Sequence, residues 1–275
     1  MSERVKFNLV DSTFSHLDGG RLPIPNKGYS VHGKESTCIE WVTDGSGVGK
    51  FYTDKRIPEA FSDDSGELKF AWFLESKAIV PELYQHLTDN MDAYLEKFDS
   101  IFVFDKSLLS ISPKFKWVPA QGYWIQKAQM YDKTKMISMI ASNKDMCSGH
   151  RHRLDWVERF RDVVDFYGRG FDTEIDTKEE GLCDYMFSVA IENASYETYF
   201  TEKLLDCFAT GTIPVYYGAA NIGDYFNKEG IIDLSEEFDV SEELYYNKMD
   251  AIKDNLERTK KMEILEDFIW ENYFS

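Results

Sequence analysis

The sequence predicts an α/β protein built as two doubly wound domains, with parallel sheets and a ligand cleft between the two halves. Three observations carry this. The chain has 275 residues, 43% of them hydrophobic and 15% aromatic, which supports one large or two small cores and excludes a disordered chain. Strand-like apolar runs alternate with helix-like periodic stretches, the pattern of βαβ units. The runs KFAWFLE (69–75) and SIFVFD (100–105) are almost continuously apolar, as strands covered on both faces are. An aperiodic polar stretch over 126–135 marks the boundary, giving a first domain over 1–130 and a second over 131–260, with a C-terminal helix over 261–275 that packs back on the first.

In the first half, KFNLV (6–10), CIEWV (38–42), 69–75, 100–105 and FKWVPA (115–120) read as strands. Between the third and fourth, Leu83, Leu87, Met91, Leu95 and Phe98 recur every three or four residues, so 81–98 reads as a helix with Pro81 in its first turn. The second half alternates more regularly. KMISMIAS (135–142) is a strand, RLDWVERFRD (153–162) a helix, VVDFYG (163–168) and YMFSVAIEN (185–193) strands, 201–210 a helix that Gly211 stops, and TIPVYYG (212–218) a further strand, and after IIDL (231–234) the chain turns helical. Two helices close the chain, one with Tyr245, Met249, Ile252 and Leu256 on a stripe, the next with Ile264, Leu265, Phe268 and Ile269.

Charge narrows the function classes. Lys and Arg total 31 against 49 Asp and Glu, a net of −18, which disfavours a nucleic-acid or membrane-surface binder. No apolar run approaches the roughly 20 residues of a bilayer-spanning helix, so no membrane anchor is expected. MSERVKFNLV does not read as a secretory signal, which gives a cytoplasmic expectation. The four cysteines, Cys38, Cys147, Cys183 and Cys207, form no CxxC pair and read as reduced thiols, not as a disulfide framework or zinc site.

The segment 185–226 carries the most chemistry. A strand, a polar loop, a helix opened by Thr201 and another strand put a helix N-terminus beyond the carboxyl end of a strand, a geometry that collects anions. Thr201 caps the helix and Glu202 suits its dipole, whereas Lys203 faces the positive end. Either Lys203 and the free amides share a phosphate, with Tyr199 and Glu202 hydrogen-bonding sugar hydroxyls, or Lys203 is a solvated lysine paired with a nearby carboxylate.

The run FSVAIENASYETYFTEKLLDCFATGTIPVYYGAANI (187–222) resembles the signature of the α-1,3-fucosyltransferases, the tenth sequence family of glycosyltransferases, which reads approximately FxLxFEN, a short loop, YxTEK, a helix, then VPVxxG. Looser similarity reaches back to Ile140 and Phe70, so about the last two thirds of the chain is covered. The resemblance implies a GT-B fold of two facing Rossmann-like domains, an acceptor side in the first, GDP-fucose in the second, and inversion at the anomeric carbon. It implies that Tyr199, Glu202 and Lys203 contact the donor's ribose and phosphates, with Glu192 and Asn193 at the end of the strand beneath. A phosphate-binding arginine is implied after the SN pair of ASNKDMCSGHRHRLDWVERF (141–160). Arg153 fits best, because Trp156 and Phe160 follow at helical offsets the family fills with apolar residues, but Arg151 is two residues away. Residues 144–169 hold six basic against five acidic groups, locally positive in an acidic chain. The arginines paired with Asp155, Glu158 and Asp162 on an exposed helix is the other reading.

The resemblance also implies a general base from the first domain. Glu75, ending the apolar strand 69–75, is the candidate and Glu82 the runner-up; a helix-entry role for Glu75 is the simpler alternative. Other signals weigh less. DGSGVGKF (44–51) lacks the first glycine and the final hydroxyl of a phosphate loop and reads as a hairpin turn. His150 and His152 lack partners with zinc spacing, and no DxD motif is present, so no metal is expected. GRG (168–170) reads as a strand-ending turn or a phosphate approach, and the aromatics of QGYWI (121–125) as core or as an acceptor platform. The function implied is an inverting transfer of L-fucose from GDP-fucose, as co-substrate and without cofactor, to a glycan hydroxyl. The alternatives are an inactive carbohydrate- or nucleotide-binding module of the same fold, or a transferase using another nucleotide-sugar.

Overall fold

The computed structural model describes residues 4–11, 36–120, 122–145, 147–168, 173–236, 239–262 and 264–275. They fall into two compact units, one from 1–121 and 263–275, the other from 122–262.

The first unit holds a six-stranded sheet, parallel throughout, of β1 (Val5–Val10), β2 (Ile39–Val42), β3 (Gly49–Thr53), β4 (Leu68–Trp72), β5 (Ser100–Val103) and β6 (Phe115–Trp117) in the order β2-β1-β3-β4-β5-β6. Strand β3 is a correction: the segment 44–51 is not a hairpin turn but a short crossover between two parallel strands that flank β1. Gly47 lies so close to β1 that a Cβ would stand 2.4 Å from the Asn8 amide nitrogen, and Gly45 N–H donates to Asn8 Oδ1. Nor is it a phosphate loop, since Lys50 is paired with Asp63 and Glu67.

One sheet face buries Tyr52, Phe73, Ile101 and Val103 beneath α1 (Pro81–Asp89) and α2 (Met91–Lys97). The expected single helix breaks at Asn90, whose backbone leaves the helical region and whose amide donates to His86 O. The other face stacks Phe7, Trp41, Phe51, Phe70, Trp72 and Phe102, with Phe51 and Phe102 parallel at 5.6 Å. That face is covered by α7 (Leu265–Tyr273) through Leu265 and Ile269.

The second unit holds a five-stranded parallel sheet of β7 (Lys135–Ile140), β8 (Asp165–Tyr167), β9 (Tyr185–Ile191), β10 (Ile213–Tyr217) and β11 (Ile232–Asp233), ordered β11-β10-β9-β7-β8. Its helices are α3 (Ser148–Phe160), α4 (Glu202–Thr210), α5 (Glu242–Asn247) and α6 (Met249–Lys260). The chain joins this unit from residue 122, earlier than 131. Gln129 N–H donates to Ala209 O, and the buried Lys133 ammonium donates to the carbonyls of Leu182, Cys183 and Thr210 and to Thr212 Oγ1, bonds that tie 122–134 to the second sheet. Arg169 and Gly170 of the GRG segment, and Gln121, lie outside the described residues.

Glu266 on α7 is fully buried and accepts from Trp41 Nε1 at 3.0 Å. Burial pushes its carboxyl up to about 8, with the charge of Asp267 adding to the shift against the lowering effect of the Trp41 bond. Between an ordinary carboxylate value and about 8 the native state therefore holds a proton that the unfolded chain releases, so stability falls as pH rises through that window. Glu266→Gln keeps the acceptor and removes the titration. Denaturant melts should show it more stable than the wild type by about 3–5 kcal/mol at pH 8 and nearly equal at pH 5.

Candidate functional site

In the second sheet β7 and β9 are neighbours whose following segments depart in different directions, the switch point at which doubly wound sheets bind ligands beyond the carboxyl ends of their strands. Every residue of β9 is buried, and the strand delivers Glu192, itself fully buried, to that end. Thr201 donates to both oxygens of Glu192, from its backbone nitrogen at 2.7 Å and from its hydroxyl at 2.7 Å. The N-terminus of α4 is thereby fastened to the end of β9, and the Thr201 hydroxyl also accepts from Lys203 N–H as the helix cap.

Lys203 is half-buried and paired with more than one carboxylate. Its ammonium stands 3.4 Å from Glu192 and 3.2 Å from Glu202, and donates to Thr201 Oγ1 at 3.0 Å. A second lysine, Lys178, lies 3.7 Å from the same Glu202 oxygen and 2.7 Å from Asp206, with its ammonium 3.9 Å from the Trp124 ring centroid. Asp206 also accepts from the backbone nitrogens of Trp124 and Ile125, which explains a carboxylate on the buried face of α4. Burial opposes the charge on Glu202, but Lys203 and Lys178 outweigh it and hold the carboxyl down at about 2. Burial likewise opposes the Lys203 ammonium, which Glu202 and Glu192 nevertheless keep well above its ordinary range. Burial raises Glu192, only partly offset by Lys203.

Helix α3 starts earlier than its apolar period suggested, at Ser148, and so includes both histidines and both arginines. Its first turn presses against β9: a Cβ on Gly149 would stand 2.4 Å from the Asn193 carbonyl oxygen, to which Cys147 Sγ also donates. This contact turns Arg153 inward, where it is 5% exposed, among Glu192, Glu202 and Tyr199. Among the described residues the Arg153 guanidinium has no ion-pair partner, and its buried Nε has no hydrogen-bond partner. Burial pulls its pKa below the usual value despite those acidic neighbours. Arg151 points outward and pairs with Asp145 at 3.3 Å. Buried His150 is pulled down to about 4 by burial and by Arg153, Lys144 and Lys203. His152 packs edge-on against Tyr217, and among the described residues no group of three or more His, Cys, Asp or Glu is arranged to hold a metal ion.

Tyr199 is buried beside this cluster, after Thr198, whose backbone sits at φ +66 with its N–H donating to Asn221 Oδ1. The structure thus brings Arg153, Glu192, Asn193, Tyr199, Thr201, Glu202 and Lys203 to one end of one sheet, and turns Arg151 away. Lys178, Asp206, Trp124 and Gly149 were not anticipated; an aspartate inside the apolar run LLDCFAT was the available signal. Glu75 lies in the first unit, three residues past β4, half-buried, with its backbone N–H donating to Asp54 Oδ1 and its carbonyl accepting from the Tyr84 hydroxyl. Glu82 is exposed in the first turn of α1.

Two parallel α/β units, one with a buried cluster of charged side chains at its switch point, have the GT-B fold of glycosyltransferases. Over 96% of this chain and 84% of theirs, the coordinates match the crystal structure of an alpha1,3-fucosyltransferase with a TM-score of 0.52 at 14% identity, and those of an alpha1,3-fucosyltransferase with GDP match at 0.51 over 94% and 82%. The family model for the C-terminal part of glycosyltransferase family 10 (fucosyltransferase) matches residues 130–272, more than half of the sequence, and the chain belongs to that family. Curated relatives match over shorter stretches. An alpha-(1,4)-fucosyltransferase of Arabidopsis thaliana is 40% identical over 20% of this chain and 14% of its own length, and the alpha-(1,3)-fucosyltransferase FucT of Helicobacter pylori is 30% identical over 27% and 16%. A GDP-fucose protein O-fucosyltransferase 3 of Xenopus laevis is 47% identical over 18% and 11%. The aligned part is a small fraction of each of these proteins.

A buried guanidinium without a counter-ion costs folding free energy, while an exposed pair contributes little. Arg153→Met should raise the stability of the ligand-free protein by about 1 kcal/mol, and Arg151→Ala should leave it within about 0.5 kcal/mol, as read from denaturant melts.

Proposed function

We propose that this protein transfers L-fucose from GDP-fucose to a hydroxyl of a glycan, with inversion at the anomeric carbon. The observation that carries the reading is the buried Arg153 guanidinium, which faces the Tyr199–Lys203 cluster without an ion-pair partner among the described residues. A diphosphate is the chemistry that completes it, taking hydrogen bonds from Arg153 and Lys203. Glu202, ionised and held by two lysines, offers its remaining acceptor capacity to ribose hydroxyls, and Tyr199 adds a phenol. The names of the relatives support fucose and GDP as the donor parts. Glu192 acts one step back, bonded to Thr201 and Lys203 and not to ligand.

In the reaction the acceptor oxygen attacks the anomeric carbon, its bond to the phosphate oxygen breaks, and GDP departs from the opposite face. The acceptor proton passes to a carboxylate, for which we propose Glu75; a single displacement needs one base and no covalent nucleophile. Arg153 and Lys203 neutralise the charge developing on the leaving diphosphate, the task that a divalent cation performs in other sites. Cytoplasmic action on a soluble donor pool is part of the same proposal.

Calorimetry should show GDP binding that Arg153→Ala weakens far more than Arg151→Ala, and that Lys203→Ala weakens by about 1.5–3 kcal/mol. Binding of UDP without GDP would overturn the donor assignment. Glu75→Gln should leave GDP affinity intact while transfer falls about 10²–10⁴-fold. Near-normal turnover would remove Glu75 from the mechanism, and nucleotide binding by a wild type that transfers no sugar would identify a binding module. Activity should survive EDTA.

A further inference from the structure

We propose that Asp54 is the positioning residue for Glu75: a buried carboxylate on a left-handed residue at the end of β3 clamps the amides of Leu74 and Glu75, and so fixes where the Glu75 side chain leaves the end of β4. The proposal rests on reading Glu75 as the base.

Three unfavourable features coincide at Asp54. Its backbone lies at φ +40, a conformation that L-residues other than Asn and Asp rarely adopt. Its side chain is fully buried. And while Oδ1 accepts from Leu74 N–H at 2.9 Å and from Glu75 N–H at 3.1 Å, the buried Oδ2 has no hydrogen-bond partner. Strain and an unsatisfied buried polar atom at one residue are features that native structures keep where the surroundings use them.

The amide clamp alone does not select aspartate. Asparagine would accept the same two hydrogens, tolerates the left-handed region as well, and buries no charge. What aspartate adds is a second ionisable group beside Glu75. The charges that act most on Asp54 are those of Glu75, after β4, and of Asp11, after β1, whose carboxylate is taken up by the Thr53 hydroxyl. Burial first, and then these two carboxylates, push Asp54 up to about 7. Asp54 therefore gains its charge near neutral pH, beside Glu75. When both are ionised, the repulsion of Asp54 makes Glu75 a stronger base, so the rate of transfer rises with pH in two steps instead of one.

The test is the pH profile of transfer in Asp54→Asn and Asp54→Ala, with GDP affinity and melting temperature measured alongside. Asp54→Asn keeps the amide clamp and should fold at least as stably as the wild type, bind GDP within about twofold, lose the upper step of the profile and turn over roughly 3–30-fold more slowly at pH 8. Asp54→Ala removes the clamp and should lose about tenfold more in kcat, again with GDP affinity unchanged. In a Glu75→Gln background Asp54→Asn should change nothing further. A wild-type rate and two-step profile in Asp54→Asn overturns the proposal, as does an equal loss in the Glu75→Gln background or a parallel loss of GDP affinity. Near-normal turnover by Glu75→Gln alone is a different result: it overturns the assignment of the base, and this proposal with it.

Discussion

The second unit of this protein depends on one buried carboxylate. Glu192 ends a strand whose residues are all inaccessible to water, and its two oxygens are both spent on Thr201. A carboxylate in that position is costly unless its hydrogen bonds are complete, so the loop between β9 and α4 has little freedom in how it returns. Where the loop ends, the helix begins, and the first turn of α4 then presents Glu202 and Lys203 at a fixed height above the sheet. Lys178 and Asp206 brace the same turn from the other side, through Trp124. The side chains with capacity left for a ligand are held by side chains with none.

Much of this was legible in the sequence, and the parts that were not have identifiable reasons. Strands β4, β5, β9 and β10 announced themselves because continuous apolar runs bounded by turns leave few alternatives. The YFTEK segment could be read chemically, because a capping threonine followed by a glutamate and a misplaced lysine poses an electrostatic question with few answers. Strand β3 was hidden among glycines, of which Gly47 serves close approach to β1 and Gly45 takes a positive φ. Which of Arg151 and Arg153 turns inward depends on which face of α3 meets the end of β9, and that contact is made by Gly149, a residue with no side chain to signal it. Lys178 and Asp206 meet 28 residues apart, a separation that periodicity does not see.

The two units meet the cost of buried charge differently. In the second, the carboxylates and ammonium groups around α4 neutralise one another, Lys133 is held by carbonyls, and Arg153 has no ion-pair partner among the described residues. In the first, Asp54 and Glu266 are buried and accept hydrogen bonds, and burial moves their titration toward neutral pH.

The first sheet is assembled from both ends of the chain. Its six strands lie before residue 122, but the helix that covers its aromatic face is α7, joined to it by bonds such as Trp41 to Glu266 across 225 positions. During synthesis the sheet therefore emerges before α7, and among the described residues the helix that packs on Phe7, Phe51, Phe70 and Phe102 is made only after every residue of the second unit. The second unit is continuous in sequence and is free to fold first. The early part of the chain thus depends on the last helix, and until α7 is made its aromatic face lacks the cover that Leu265 and Ile269 give it.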